Sequence, residues 1–280
     1  MLFYSLIFYT KRLTAADKQG ENAINARQIQ LLKRVADILP QQYRASAGRA
    51  YFAITSLRYV GSQVQCPCCG GSFRMFLTSP VHHRPNSMCP RCLSLERHRL
   101  LWLYLTEKTN FFSAPLKVLH FAPELCFAKF RRLSNLDYTA ADLNSPLAAE
   151  VIDITAIPYP DSTFDAILCN HVLEHIPDDR LAMRELYRVL KPDGWAILQS
   201  PLNPSQAATF EDPAINTPEQ REQYYGHHDH KRLYGQDYKD RLSEAGFHVT
   251  VDDFVRHLDA DVIATYALMR DEAIYFCTKR

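Results

Sequence analysis

Two Cys-x-x-Cys knuckles constrain this chain more than any other feature: Cys66-Pro67-Cys68-Cys69-Gly70-Gly71 and, about twenty residues on, Cys89-Pro90-Arg91-Cys92. Each knuckle can turn two thiols toward one ion, and the segment between them can fold back as a hairpin that sets the second knuckle opposite the first. Pro67, Gly70, Gly71 and Pro90 supply the turn chemistry. The expected ligands are Cys66, Cys69, Cys89 and Cys92 on a structural Zn2+, with Cys68 a bystander or a replacement for Cys69. Four thiolates leave no open position for water, so such an ion holds structure and contributes folding energy. Two disulfides or a redox Cys-x-x-Cys are the rival readings; a redox site needs only one knuckle.

At 280 residues, 47% of them hydrophobic, the chain can bury one large core plus a small module. The apolar start, residues 1–9, is too short to span a bilayer and lacks the basic flank and cleavage site of a signal peptide; it reads as a packed segment or weak surface anchor. Cys126, Cys169 and Cys277 are scattered singly. A soluble, cytoplasmic protein without a transmembrane segment is expected. The net charge of +1 hides an asymmetry: residues 1–100 carry 14 Lys and Arg against four acids, the remainder 18 against 27. A basic front favours an anionic partner such as RNA, or else simply attracts the acidic back across an interface.

Residues 21–39 and 43–59 read as helices. The cysteine module at 64–106 includes a connecting helix from Ser94, which can cap it, to Leu105. From residue 115 short apolar strands alternate with helices: strands at 116–122, 136–142, 149–153, 164–170 and 194–200, helices near 124–133 and 178–191, then a helix at 236–245 and strands at 247–254 and 273–278. This alternation predicts an α/β fold with a parallel sheet covered on both faces. The domains expected are a helical front at 1–63, the zinc ribbon and helix at 64–106, and a sheet domain at 115–280. The insertion at 201–235, rich in Pro, Asn, Gln, His and Tyr, has the length of a lid or substrate loop.

Ligands of open parallel sheets sit beyond the carboxyl ends of the strands. Asp142 ends the second strand, where it could accept both hydroxyls of a ribose. Asp153 ends the third, where it could accept from an adenine amino group. Asn170 and His171 end the fourth, beside the expected reaction centre. At Asp153 through Asp165, at His171-Val172-Leu173-Glu174-His175-Ile176 and at Arg184 through Trp195, the chain resembles the class I S-adenosylmethionine-dependent methyltransferases. The resemblance covers about 115–280. It implies a Rossmann-like seven-stranded sheet with the last strand inserted antiparallel and S-adenosyl-L-methionine over the first strand ends, on His120, Ala122, Pro123, Glu124, Asp142, Asp153, Ile154 and Asn170. The cysteine module ahead of it also resembles those of some bacterial methyltransferases.

One departure stands out. Where the family has an acid followed by alternating glycines, this chain has His120-Phe121-Ala122-Pro123-Glu124, without a glycine. Ala122 is nearly as small, and Glu124 is expected either to pair the cofactor's ammonium group or to sit at a helix start. On the acceptor side His171 or His230 could act as base, and Lys231, Arg232 and Tyr234 could hold the acceptor. His227, His228 and His230 lie too close together on a loop for spacing alone to define a metal site, and His175 reads as packing or capping. The expected function is methyl transfer to an unidentified acceptor. A small molecule is favoured under a closed lid. RNA docked on the basic module is the alternative, and a methyltransferase-fold binding protein that has lost its cofactor is a third. A nicotinamide enzyme is weaker, since its glycine fingerprint is absent.

Overall fold

The computed structural model describes residues 41–79 and 83–280. The expected helix at 21–39 and the apolar start lie outside the described residues. Helix α1 (Gln41–Thr55) runs into a 3-10 turn, Ser56–Tyr59. Phe52 packs inward as expected, but Ile54 and Leu57 are 68% and 64% exposed. Strands β1 (Val60–Cys66) and β2 (Gly71–Phe73) pair antiparallel, setting Cys66 opposite Gly71. The first knuckle closes between them: Gly70 has φ +70° and donates its N–H to the Cys66 carbonyl at 2.8 Å.

Helix α2 (Glu96–Glu107) follows the second knuckle. Ser94 does not cap it, because its hydroxyl lies 3.1 Å from the Cys66 sulfur; His98 Nδ1 instead accepts the Leu95 N–H at 3.0 Å. Arg99, fully buried on this helix, donates to the carbonyls of Ser87, Ser94 and Ala267 at 2.9 Å and of Tyr266 at 2.6 Å. Its guanidinium also lies over the Phe76 ring. One side chain thus joins the cysteine module to the end of the chain.

Behind the module lies a six-stranded sheet of β3 (Leu116–Phe121), β4 (Leu136–Ala141), β5 (Phe164–Asn170), β6 (Leu190–Gln199), β7 (His248–Asp252) and β8 (Ile274–Thr278). Its order is β4-β3-β5-β6-β8-β7; the first four strands are parallel, and β8 is antiparallel to both neighbours. The expected strand at 149–153 shrinks to one bridge between Ala141 and Glu150 at the sheet edge, so among the described residues the sheet has six strands where seven were expected. Val151 is 78% exposed there, and Asp153 Oδ1 accepts the Thr155 N–H and hydroxyl, a local turn that competes with strand pairing.

Side-chain alternation gives the sheet two cores. Val118, Ala166, Leu168 and Ile197 face one way and share a core with Phe73, Phe76, Leu100 and Phe127, so the cysteine module and α2 pack into the same apolar mass as the sheet. Leu119, Ile167, Cys169 and Leu198 face the other way, onto Ala182, Met183, Leu186 and Val189 of α3 (Asp179–Val189). Asp178 caps α3 by accepting the Leu181 N–H at 2.9 Å. The insertion contains α4 (Pro218–Tyr225) and is tied at its base by bridges from Leu202 to Tyr234 and from Phe210 to Leu233. Helices α5 (Tyr238–Glu244) and α6 (Ala260–Thr265) complete the chain. Among the described residues no helix is long and apolar enough to cross a membrane.

Candidate active site and metal centre

The four expected thiols converge. Cys66, Cys69, Cys89 and Cys92 offer sulfurs all within 4.8 Å of one another, with Cys66–Cys92 at 3.5 Å and Cys69–Cys89 at 3.8 Å. Zinc–sulfur bonds of about 2.3 Å require tetrahedral S···S separations of roughly 3.8 Å. Cys68 points elsewhere, 3.6 Å from the His98 carbonyl.

A cavity of about 600 Å³ opens at the carboxyl ends of the parallel strands. Phe121 ends β3 and Ala122 follows it on the cavity wall, Asp142 follows β4, and His171, Glu174 and His175 follow β5. Ile152 and Ile154 are apolar lining; Tyr225, His227, Asp229 and His230 from the insertion form the far wall. The front module reaches in as well, through Ser79, Arg84, Leu95 and Arg97. Ala122 and His171 have φ of 50° and 54°, the left-handed region that glycine adopts freely and other residues adopt at a cost. Ala122 therefore takes a glycine's conformation in the glycine-free motif, with only a methyl group to accommodate.

Asp142 spends Oδ1 on the N–H groups of Asn144 and Ser145, both at 2.7 Å, and Oδ2 has no hydrogen bond among the described residues. Asn170, 6% exposed at the end of β5, has neither its amide nitrogen nor its amide oxygen hydrogen-bonded. Arg97 Nε is likewise buried without a partner. Glu174 is 1% exposed; its Oε2 accepts from the Ser200 hydroxyl at 2.7 Å, while Oε1 faces His171 Nδ1 at 3.5 Å and His175 Nε2 at 3.8 Å. Burial alone would raise its pKa, but His171, His175 and Ser200 outweigh burial and hold the carboxyl at about 2. Burial lowers His230 to about 4.

Several expected site residues are placed elsewhere. Glu124 and Pro123 line a separate cavity of about 370 Å³ beside Cys68 and Cys126. The Glu124 carboxylate lies 2.9 Å from His120 Nε2 and 3.8 Å from His98 Nε2, so it faces two imidazoles rather than the large cavity, where it was expected to meet an ammonium group. Burial pushes its pKa up, but His120 more than reverses this. His120 is itself fully buried, with Nδ1 2.6 Å from the Tyr138 hydroxyl. Asp153 is exposed and engaged in its turn, and its neighbours Ile152 and Ile154 line the large cavity instead.

Arg232 and Tyr234 are buried and committed to other partners. Arg232 is 3% exposed and spends its donors on Glu211 and on the carbonyls of Leu173, Ile176 and Pro177; Tyr234, fully buried, donates to Asp179 at 2.6 Å. Neither they nor Lys231 line the cavity. Sequence reasoning missed Arg97 as a cavity residue and His175 as more than packing, whereas Tyr225 and Asp229 belong to the 225–235 cluster expected on the acceptor side. The one available signal was His175 beside Glu174, directly after a strand end.

Residues 123–198 match the family described as a methyltransferase domain. The matched stretch takes in β4, β5 and most of β6, with the loops after β4 and β5 that wall the cavity. It is 39% identical over 61 residues to an uncharacterized methyltransferase, YcgJ, of Bacillus subtilis (strain 168), covering 22% of each chain. It is 49% identical over 39 residues to the ubiquinone/menaquinone biosynthesis C-methyltransferase UbiE of Enterobacter sp. (strain 638), covering 14% of this chain and 16% of the relative. The matched segments thus span about a fifth or less of those relatives' lengths. A solved S-adenosylmethionine-dependent methyltransferase from Mesorhizobium loti superposes with a TM-score of 0.46 at 14% identity, over 63% of this chain and 95% of that one.

Proposed function

We propose that the chain transfers a methyl group from S-adenosyl-L-methionine to a small acceptor held under the insertion. The observation that carries this reading is the cavity itself. It sits on the strand ends of a methyltransferase domain, has a carboxylate with an uncommitted oxygen at Asp142, and is walled by the insertion on one side and the front module on the other. A volume of about 600 Å³ is that of a small-molecule site.

The unpartnered groups fit the cofactor. Asp142 Oδ2 would accept from its ribose hydroxyls, Ile152 and Ile154 would flank its base, and the Nε of Arg97 would receive its amino-acid part; Asn170, whose amide is also unpartnered, lies behind the cavity lining at the end of β5. When bound, the cofactor supplies a methyl group already made electrophilic by the sulfonium. The chain therefore has to position an acceptor and take its proton. His171 is placed for the proton: Glu174, buried and anionic, faces its Nδ1 and leaves Nε2 to accept. His230, kept neutral by burial, is the second candidate base.

The test is calorimetric titration with S-adenosylhomocysteine. Wild type should bind at micromolar concentration, and Asp142→Ala should lose about 10- to 100-fold, as expected for hydrogen bonds to a charged group. A folded wild type that does not bind would leave a docking protein on a methyltransferase scaffold. RNA as acceptor would require affinity that falls steeply with salt. We also read Cys66, Cys69, Cys89 and Cys92 as holding one structural zinc, to be found by metal analysis. The free thiols fit a reducing compartment such as the cytoplasm.

A further inference from the structure

We infer that His175, His227, Asp229 and His230 form a second, sulfur-free metal site for one divalent first-row transition ion. Each offers one ligand atom, and these atoms all lie within 4.8 Å of one another on half-buried side chains. His175 Nδ1 lies 3.0 Å from Asp229 Oδ1, and His227 Nδ1 is in closer contact with the same oxygen. The His175 and His230 rings are 4.8 Å apart, those of His227 and His230 4.9 Å. A tetrahedral ion with bonds of about 2.0–2.1 Å needs its ligand atoms roughly 3.3 Å apart, a closure that side-chain rotation supplies.

The surroundings are those of metal-binding imidazoles, which direct their second nitrogen to a carbonyl or carboxylate. His230 Nδ1 lies 3.2 Å from the Tyr225 carbonyl, which leaves Nε2 for the ion. His175 has Nε2 toward Glu174 Oε1, leaving Nδ1 for the ion. Glu174 is 99% buried, and that oxygen has no hydrogen bond. The chain builds the turn deliberately: Gly226, at φ +78°, ends α4 and sends His227, Asp229 and His230 back onto the cavity wall. Three imidazoles and one carboxylate suit zinc, cobalt, nickel or iron, whereas magnesium and calcium prefer all-oxygen sets.

The ion would join the insertion to the loop after β5 and so fix the cavity's far wall. On this assignment His230 ceases to be a base and His171 stands alone. The site is independent of methyl transfer, because metal binding is read with neither cofactor nor acceptor present.

The test is cobalt titration of the full chain with its cysteine site already filled by zinc. Wild type should take up one further equivalent, giving visible ligand-field bands without sulfur-to-metal charge transfer. The double variant H227A/H230A and, separately, H175Q/D229N should lose that uptake while keeping the cysteine-bound zinc and the wild-type circular dichroism. The inference is overturned if folded, zinc-loaded wild type takes up no cobalt at micromolar concentration. It is equally overturned if every added equivalent gives thiolate charge transfer, or if both variants bind cobalt as wild type does.

Discussion

Replacing Arg99 by methionine should weaken the joint between the cysteine module and the sheet domain and destabilise both together. Methionine fills much of the same volume but leaves the carbonyls of Ser87, Ser94, Tyr266 and Ala267 without their donor. A buried acceptor left unsatisfied costs about 1–3 kcal/mol. The two bonds to Tyr266 and Ala267 are only partly buried, so water would recover some of that loss. A destabilisation of about 3–5 kcal/mol follows, at the upper end for single substitutions. Arg99→Lys should fall between wild type and methionine, because an ammonium offers three donors from one point where a guanidinium spreads five across a plane. The assay is urea unfolding followed by circular dichroism, with zinc measured on the same samples. A loss below about 1 kcal/mol for methionine would refute the reasoning, since that is no more than one ordinary hydrogen bond.

Tyr234→Phe should cost about 1–2 kcal/mol through the lost bond to Asp179 and leave the KM for any identified acceptor unchanged; a raised KM would return Tyr234 to the binding site. Ala122→Val should impair S-adenosylhomocysteine binding and stability while Ala122→Gly is tolerated, because φ of 50° is open to glycine and strained for a β-branched residue; isothermal titration and thermal melts on both variants check this. His98 is held neutral by burial and by Arg97, with a pKa near 3 against 6.5 unfolded. Below pH 6.5 the unfolded chain then binds the extra proton, so His98 draws stability down as pH falls toward 3, by up to about 1.4 kcal/mol per pH unit. Urea unfolding of wild type and His98→Gln at pH 7.5 and 5.5 isolates that contribution, and equal slopes would contradict it. Gly71→Ala should loosen the first knuckle, because the added Cβ would meet the Phe73 ring at 2.5 Å; a lower zinc content per chain is the readout.

The sheet was legible because its strands are buried on both faces and read as continuous apolar runs, as Phe164 through Asn170 does. The knuckles were legible because Pro and Gly mark turns locally. Glu124 and Arg232 are charged residues near a site, and their partners turn them away from it. For Glu124 the near partner is His120, four residues back. For Arg232 they are Glu211 and three carbonyls distant in sequence, a pairing of which spacing carries no trace. Arg97 went unseen for the opposite reason, since it comes from a module that precedes the sheet and meets the cavity only in three dimensions. The strand at 149–153 was lost to a side chain, as the Asp153 carboxylate offers its own backbone a turn.

The shared core of the cysteine module and the sheet has a consequence for the cell. Phe73, Phe76 and Leu100 lie in one apolar mass with Val118, Phe127 and Ile197, so neither part can be shed by truncation without wetting the other. With zinc on the four thiols, a cell starved of that metal would lose the sheet together with the knuckles, and the abundance of folded protein would track metal supply.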